Sequence, residues 1–458
     1  MKLGISLNRR EFLLSSGFGA LAASLLSRTA SAGWNSVPTI LARIQAPSFP
    51  DRDFDITQYG AEGDGISNCS EAFLRAINAC NRAGGGRLII PQGDYLTGAI
   101  RLRSNVNLHL SEGATLRFSP DPRLYLPAVY TRWEGVECMN YAPFIYAFEQ
   151  ENIAVTGSGT LDGQASNEHW WPWTGGSPSF RSGPAKANQM AARTKLFRMG
   201  ENDIPVRDRV FGEGSNLRPN FVQFYRCRNV LIEDVTIRNS PMWMIHPVLC
   251  TNVTVRKVSL VSHGPNNDGC NPESSRDVLI ENCFFDSGDD CIAVKSGRNR
   301  DGRRIGAPSE NIVVRNCRMK DGHGGITIGS EASGGVRNVF AENCNMDSPN
   351  LERALRLKTN SVRGGFIENV FMRNVTVGQV RDAVLRINLF YEEGDAGQFP
   401  PSVHDIEMTN VTSQKSKYAL YLRGYKHSPL RNIRLSHCSF NNTALPDVIE
   451  NVEGLLID

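Results

Sequence analysis

Four short stretches of this chain place polar and charged groups where apolar alternation would otherwise run on. They are Asn266-Asn267-Asp268-Gly269, Gly288-Asp289-Asp290, Gly322-His323-Gly324 and Arg356-Leu357-Lys358. Taken singly, each is ordinary: Asn, Asp and Gly form turns, a histidine between glycines is commonly just exposed, and Arg-Leu-Lys is a common strand face. Together they hold three carboxyls, an imidazole and two cations. A protonated carboxyl can give its proton to the leaving oxygen of a glycosidic bond while an ionised one activates water on the opposite face of the sugar ring. Carboxyls packed closely cannot all ionise, so one is expected to keep its proton at working pH. Arg356 and Lys358 would then hold the carboxylate of an acidic sugar beside the bond to be cut. No phosphate loop, zinc-ligand spacing or Ser-His-Asp arrangement offers a competing chemistry.

Bringing these groups together requires a repeating scaffold, and the chain has one. From about residue 220 an Asn or Asp is followed by an aliphatic anchor, with apolar residues two and five places further on. The anchors are Val230, Val253, Val278, Ile312, Val339, Val370, Ile406 and Ile433. Alternation at period two marks strands, and anchor spacings of 23 to 36 residues mark the coils of a solenoid. Equivalent side chains then stack about 4.8 Å apart on successive coils. The five-place position reads Val235, Val258, Cys283, Cys317, Cys344, Val375, Val411 and Cys438, a ladder where free cysteine serves as a small apolar residue. That explains four of the eleven cysteines, and disulfides stay open for some of the others. Just before this ladder stand Asn282, Asn316, Asn343, Asn374 and Asn410, suited to a left-handed bend and to amide stacking.

Phase in the repeat gives the four stretches their meaning. Asp289 lies eleven residues after Val278, and His323 lies eleven after Ile312, so the two are expected one above the other. Asp268 falls one coil earlier. Arg356 and Lys358 point to one side of a strand, and Leu357 points to the other. Successive coils thus offer an acid, an acid pair, an imidazole and a cation pair along one groove.

A solenoid end needs a cap. Residues 68 to 82 supply it, with an Asn68–Glu71 capping box and apolar residues Ala72, Phe73, Ala76, Ile77 and Cys80 at helical spacing, stopped by Gly84-Gly85-Gly86. The expected architecture is an all-β, single-domain, right-handed parallel β-helix over residues 51–458 with an N-terminal capping helix. Residues 33–50 read as a linker rich in Pro and Ser. Residues 1–32 read as a removable twin-arginine export signal, from Asn8-Arg9-Arg10-Glu11-Phe12-Leu13, a short apolar run and Ala30-Ser31-Ala32. That segment alone carries a net charge of +3, as does the whole chain, so the remainder is close to neutral. The pI therefore points to neither nucleic acid nor a membrane surface. The expected setting is the periplasm or the cell exterior, as a monomer.

At these residues the sequence resembles glycoside hydrolase family 28, the polygalacturonases, whose four ordered motifs are N-T-D, G-D-D, G-H-G and R-I-K. Here they read N-N-D, G-D-D, G-H-G and R-L-K, departing only at Asn267 and Leu357. Tyr59-Gly60-Ala61, Gly63-Asp64-Gly65 and Leu96-Thr97-Gly98 also resemble the family's N-terminal region. The resemblance implies hydrolysis of α-1,4-linked galacturonate with inversion, without metal or cofactor. It implies Asp289 as general acid and Asp268 with Asp290 as the pair that holds and deprotonates water. It also implies His323 as the residue that tunes the acid. Arg356 and Lys358 would bind the substrate carboxylate, assisted by Asn266 and, at the end of Ile387-Asn388-Leu389-Phe390-Tyr391, by Tyr391.

Residues 165 to 219 form a long insertion opening with His169-Trp170-Trp171-Pro172-Trp173. Its aromatic rings either wall off one end of the groove, which would favour exo attack as in bacterial exo-acting relatives, or only cover the solenoid. The first reading is preferred. Endo attack, rhamnogalacturonan hydrolysis, calcium-dependent elimination by a pectate lyase and glycan binding without catalysis are the alternatives.

Overall fold

The computed structural model describes residues 33–175 and 188–458. The export signal expected over residues 1–32 lies outside the described residues, as do residues 176–187 of the insertion. The repeat closes into a right-handed parallel β-helix. Its anchors face one another in unbroken parallel register: Val230 opposite Val253, then Val278, Ile312, Val339, Val370, Ile406 and Ile433. None is more than 1% exposed, and burying such a side chain is worth about 1.5–3 kcal/mol. One sheet of 23 strands forms much of the wall. The remaining face joins a four-stranded and a six-stranded sheet through bridges at Cys270 and Glu273.

Single left-handed residues bend the wall. Asn282, Asn316, Asn343, Asn374 and Asn410 have φ of 53–56°, and the same slot holds Asp234, Lys257 and His437, also at positive φ. A second left-handed column precedes the anchors, and its amides bond along the axis. Asn252 donates to Asn229 (2.8 Å), Asn311 to Asp277 (3.1 Å), Asn338 to Asn311 (3.0 Å) and Asn369 to Asn338 (3.1 Å). Asn suits both duties, because it tolerates positive φ and carries a donor and an acceptor at one end. All eleven cysteines are free and ten are buried, so the disulfide alternative falls away and packing accounts for their positions.

The cap is helix α2 (Ser70–Arg82), which buries Ala72, Phe73, Ala76, Ile77 and Cys80. Its start differs from expectation. Asn68 Oδ1 accepts from Ser70 N at 3.0 Å and Ser70 Oγ at 2.6 Å, and Glu71 sits in the first turn, where its charge meets the helix N-terminus. The segment expected as a plain linker also contains structure. Helix α1 (Val37–Arg43) and Trp34 cover the outward-facing apolar residues Leu279, Val313, Phe340 and Phe371. Arg43 fixes the far end of the helix on Asp277 at 2.7 Å.

Two additions rise beside the solenoid. Strands β1 (Val129–Trp133) and β2 (Val136–Asn140) form an antiparallel hairpin. Its two-residue turn, Glu134-Gly135, has φ of 43° and 82°, the left-handed pair that a tight hairpin turn requires. Helix α3 (Met190–Glu201) comes from the long insertion. The insertion's tryptophans do not form the groove wall anticipated for them. Trp170 is 2% exposed and packs edge-on against Tyr125 and Phe144, and the Trp171 indole donates to Ser240 O. They anchor the insertion, and α3 is the part that projects.

The amide column gives a direct test. Asn338→Ala removes two axial hydrogen bonds and places alanine at a φ of 57°, a loss of about 3 kcal/mol. Asn338→Gly keeps the backbone conformation and should lose about 2 kcal/mol. Both are read as shifts of the guanidinium unfolding midpoint, and equal losses would deny the backbone its share.

Candidate active site

The four motif stretches converge on one face. Strands β3 (Ile292–Val294), β4 (Ile326–Gly329), β5 (Arg353–Lys358) and β6 (Ala383–Asn388) stack there in parallel, and Cys270 bridges to Ile292 ahead of them. Alternation sends Ile326, Ile328, Leu355 and Leu357 into the core. Thr327 pairs with Arg356 and Gly329 with Lys358 on the outer side. The bridge at Cys270 sets Asp268 beside Asp290 on the neighbouring coil, where Gly269 N bonds to Asp290 O at 2.9 Å. The phase argument for His323 holds: its Nδ1 lies 3.0 Å from Asp289 Oδ1. Gly324 must be glycine, because a Cβ there would lie 2.3 Å from Thr327 Oγ1 and 3.0 Å from Asp290 Oδ1.

Asp268, Asp289 and Asp290 each bring an oxygen within 4.8 Å of the others. Their surroundings differ. Asp290 is fully buried, and its Oδ1 accepts from Thr327 (2.8 Å) and Arg356 (3.2 Å), its Oδ2 from Lys358 (2.8 Å). Arg356 and Lys358, expected to hold a substrate carboxylate, thus bind a protein carboxylate as well. Asp268 accepts from Asn271 at 3.1 Å and lies 3.7 Å from Lys295. Asn266 Oδ1 accepts from Arg218 at 2.6 Å, and Tyr391 lies under both cations, 5.7 Å from the Arg356 guanidinium and 5.3 Å from Lys358 Nζ.

These environments drive the carboxyls apart. Burial, and then the charge of Asp289, push Asp268 up to about 8 against the pull of Lys295. Burial opposes ionisation of Asp289, but the His323 hydrogen bond and charge outweigh it and hold this carboxyl below its ordinary value. Burial acts on Asp290 too, and Lys358, Arg356 and Lys295 overcome it, keeping it well below the usual carboxylate range. His323 is pushed up to about 9, chiefly by its hydrogen bond to Asp289. Of the three, Asp268 is the carboxyl whose surroundings favour the protonated form. Carboxylates this close titrate as a set, so the proton belongs to the cluster.

The sequence reading missed several residues around the site. Lys295, 3% exposed, ends the apolar run Cys291-Ile292-Ala293-Val294, and a cation closing such a run was a usable signal. It bonds Glu331 at 3.0 Å and stands 4.6 Å from the Trp243 ring centre. Arg218 is fully buried, and burial pulls it down to about 10. It donates to the carbonyls of Pro241 and Pro265 and to Asn266 and Gln189, tying the Asp268 loop to the residue before α3. Arg193, Arg298, Glu134, Glu331 and Glu392 complete a cavity of about 220 Å³.

Among the described residues two groups could share a cation, the three aspartates and a set of His263, Asp286 and Asp321. Protein cations already occupy both. Lys295, Arg356 and Lys358 serve the first, and Lys320, 2.9 Å from Asp286, serves the second. No helix among the described residues is long and apolar enough to cross a membrane.

The model of the glycosyl hydrolases family 28 matches residues 211–455, which include Asn266, Asp268, Asp289, Asp290, His323, Arg356, Lys358 and Tyr391. A probable polygalacturonase of Vitis vinifera is 27% identical over 87% of this chain and 77% of its own length. An exo-poly-alpha-D-galacturonosidase of Dickeya chrysanthemi is 28% identical over 79% of this chain and 62% of its own length. The crystal structure of a hyperthermoactive exopolygalacturonase from Thermotoga maritima superposes with a TM-score of 0.89 at 47% identity, covering 93% of this chain and 96% of that one. On the match of its motif-bearing coils and on this likeness over nearly its whole length, the chain belongs to the glycosyl hydrolases family 28.

Proposed function

We propose that this enzyme hydrolyses α-1,4-linked galacturonan from the chain end, releasing galacturonate with inversion at the anomeric carbon. The observation that carries this reading is the cavity: Asp268, Asp289 and a cation pair line a space of about 220 Å³, with Asp290 bonded to both cations behind it, a space small among ligand sites and suited to one sugar ring. An acidic sugar fits because Arg356, Lys358, Lys295 and Arg298 all border that space. The exo-acting names of the Dickeya and Thermotoga relatives support the mode of attack. By the export pattern of residues 1–32, the enzyme works in the periplasm or outside the cell.

Asp289, the most exposed of the three carboxyls, meets the leaving oxygen. The proton it delivers comes from the pair it forms with His323, so the imidazole feeds the acid as well as orienting it. Asp268 and Asp290 hold the attacking water. The approaching substrate carboxylate competes for Arg356 and Lys358, and each bond it takes from Asp290 makes Asp290 a better base. Tyr391 and Asn266 border the same sugar. The nearest oxygens of the aspartates are closer than the ~6.5–9.5 Å usual for inverting enzymes. Even so, a covalent route is disfavoured, because Asp290 is fully buried behind the cavity lining and meets the sugar through the water it holds.

Polygalacturonate should give galacturonate alone early in the time course, with the β-anomer appearing first in proton NMR. An early spread of oligomers would mean endo attack, α-anomer first would mean retention, and near-ultraviolet absorbance from unsaturated ends would mean elimination. Asp289→Asn should lower kcat by about 10³-fold or more with an unchanged melting temperature, and near-normal turnover removes it from the acid role. The pH profile should fall above about 9, where His323 gives up the proton that the pair delivers. Its acid limb should lie below the ordinary carboxylate range, because Asp290 stays ionised there. Lys358→Met weakens that hold, so the acid limb should move up by at least one pH unit; an unmoved limb would separate Asp290 from the base role.

A further inference from the structure

We infer that the ion pair between Glu134 and Arg193 reads the non-reducing terminus of the substrate, with the Glu134 carboxylate accepting from the free 4-hydroxyl of the terminal galacturonate. The inference rests on the exo reading above and names the residues and the substrate group that enforce it.

The wall is built from three distant parts of the chain. The hairpin turn Glu134-Gly135 reaches the coil that follows β3, where Arg298 N donates to Gly135 O at 3.0 Å. Gly135 allows that approach, since a Cβ there would lie 2.7 Å from Arg298 N. Helix α3 supplies Arg193, whose Nε donates to Glu134 Oε2 at 2.8 Å. It also supplies Phe197, which lies between two guanidinium groups, with Arg193 4.5 Å and Arg298 4.1 Å from its ring centre. Glu134 is 8% exposed and borders the cavity. Among the described residues, no donor is bonded to its Oε1.

Exposure tells which sugar sits against this wall. The His323 and Asp289 side chains are 47% and 18% exposed, whereas those of Asp268, Lys295 and Arg298 are 3–5% exposed. The acid that meets the leaving group is therefore on the open side, and the water-holding Asp268 is on the enclosed side. Water attacks the anomeric carbon of the sugar that keeps it, so the enclosed sugar is the glycosyl unit and the rest of the chain leaves through the opening. That unit differs from an internal one only at O4, which carries hydrogen instead of another sugar. A carboxylate oxygen at the closed end accepts a hydrogen bond from the hydroxyl and leaves no room for a continuing chain.

The test compares trigalacturonate with its analogue lacking the 4-hydroxyl on the non-reducing unit. Wild-type kcat/KM should be about 10- to 100-fold lower on the analogue. Glu134→Ala should lose about the same factor on normal trigalacturonate and treat the two substrates alike. Glu134→Gln, which keeps the shape and one acceptor oxygen, should retain part of the discrimination and melt like the wild type. A wild type that ignores the missing hydroxyl, or a Glu134→Ala variant that keeps the wild-type ratio, overturns the inference. Early oligomers from wild-type enzyme would instead overturn the exo reading, so the two failures are separable.

Discussion

In-register parallel stacking is the constraint on which everything else in this molecule depends. Each coil hydrogen-bonds to the next along most of its length, so side chains in equivalent positions stand about 4.8 Å apart whatever their separation in sequence. In the core this yields the aliphatic column from Val230 to Ile433, and at the bends it yields the bonded amides of Asn311, Asn338 and Asn369. On the catalytic face the same spacing delivers the His323–Asp289 contact and lays Arg356 and Lys358 over Asp290. The ladders themselves hold these groups in place, and the hairpin turn and helix α3 add only the wall beside them.

That rigidity sustains an electrostatic arrangement that would otherwise relax. Three carboxyls in near contact repel, and burial penalises each one's charge. The arrangement persists because every member has a different compensation. Asp290 has two cations, Asp289 has an imidazolium, and Asp268 keeps a proton. Chemically identical side chains thereby acquire different proton affinities from their neighbours.

The repeat made most of this legible in the sequence. The anchors, the left-handed Asn bends and the shared phase of Asp289 and His323 could be read directly, because a solenoid translates linear spacing into position. The hairpin turn at Glu134 and helix α3 could not be read in that way. They lie outside the repeat, and their contacts join segments as far apart as Gly135 and Arg298, with no periodicity to align them. The tryptophans of the insertion were misassigned for a related reason: residue type does not say whether an indole anchors or presents itself, and the packing of Trp170 on Tyr125 and Phe144 decides it. The location of the retained proton was equally hidden, since it depends on burial and neighbouring charge, whereas the motif shows only three aspartates.

The two ends of the solenoid are finished unequally. Helix α2 seals the first coils with a full apolar face, whereas the final strands leave Ile449, Leu456 and Ile457 at 47%, 54% and 63% exposure. Coils stabilise only their immediate neighbours, so opening of the coil that carries these residues breaks a single interface. The catalytic coils, between Asp268 and Tyr391, are insulated from that opening by the turns of wall beyond them. A disturbance at Ile449 or Leu456 therefore leaves in place the ladders that hold the aspartates.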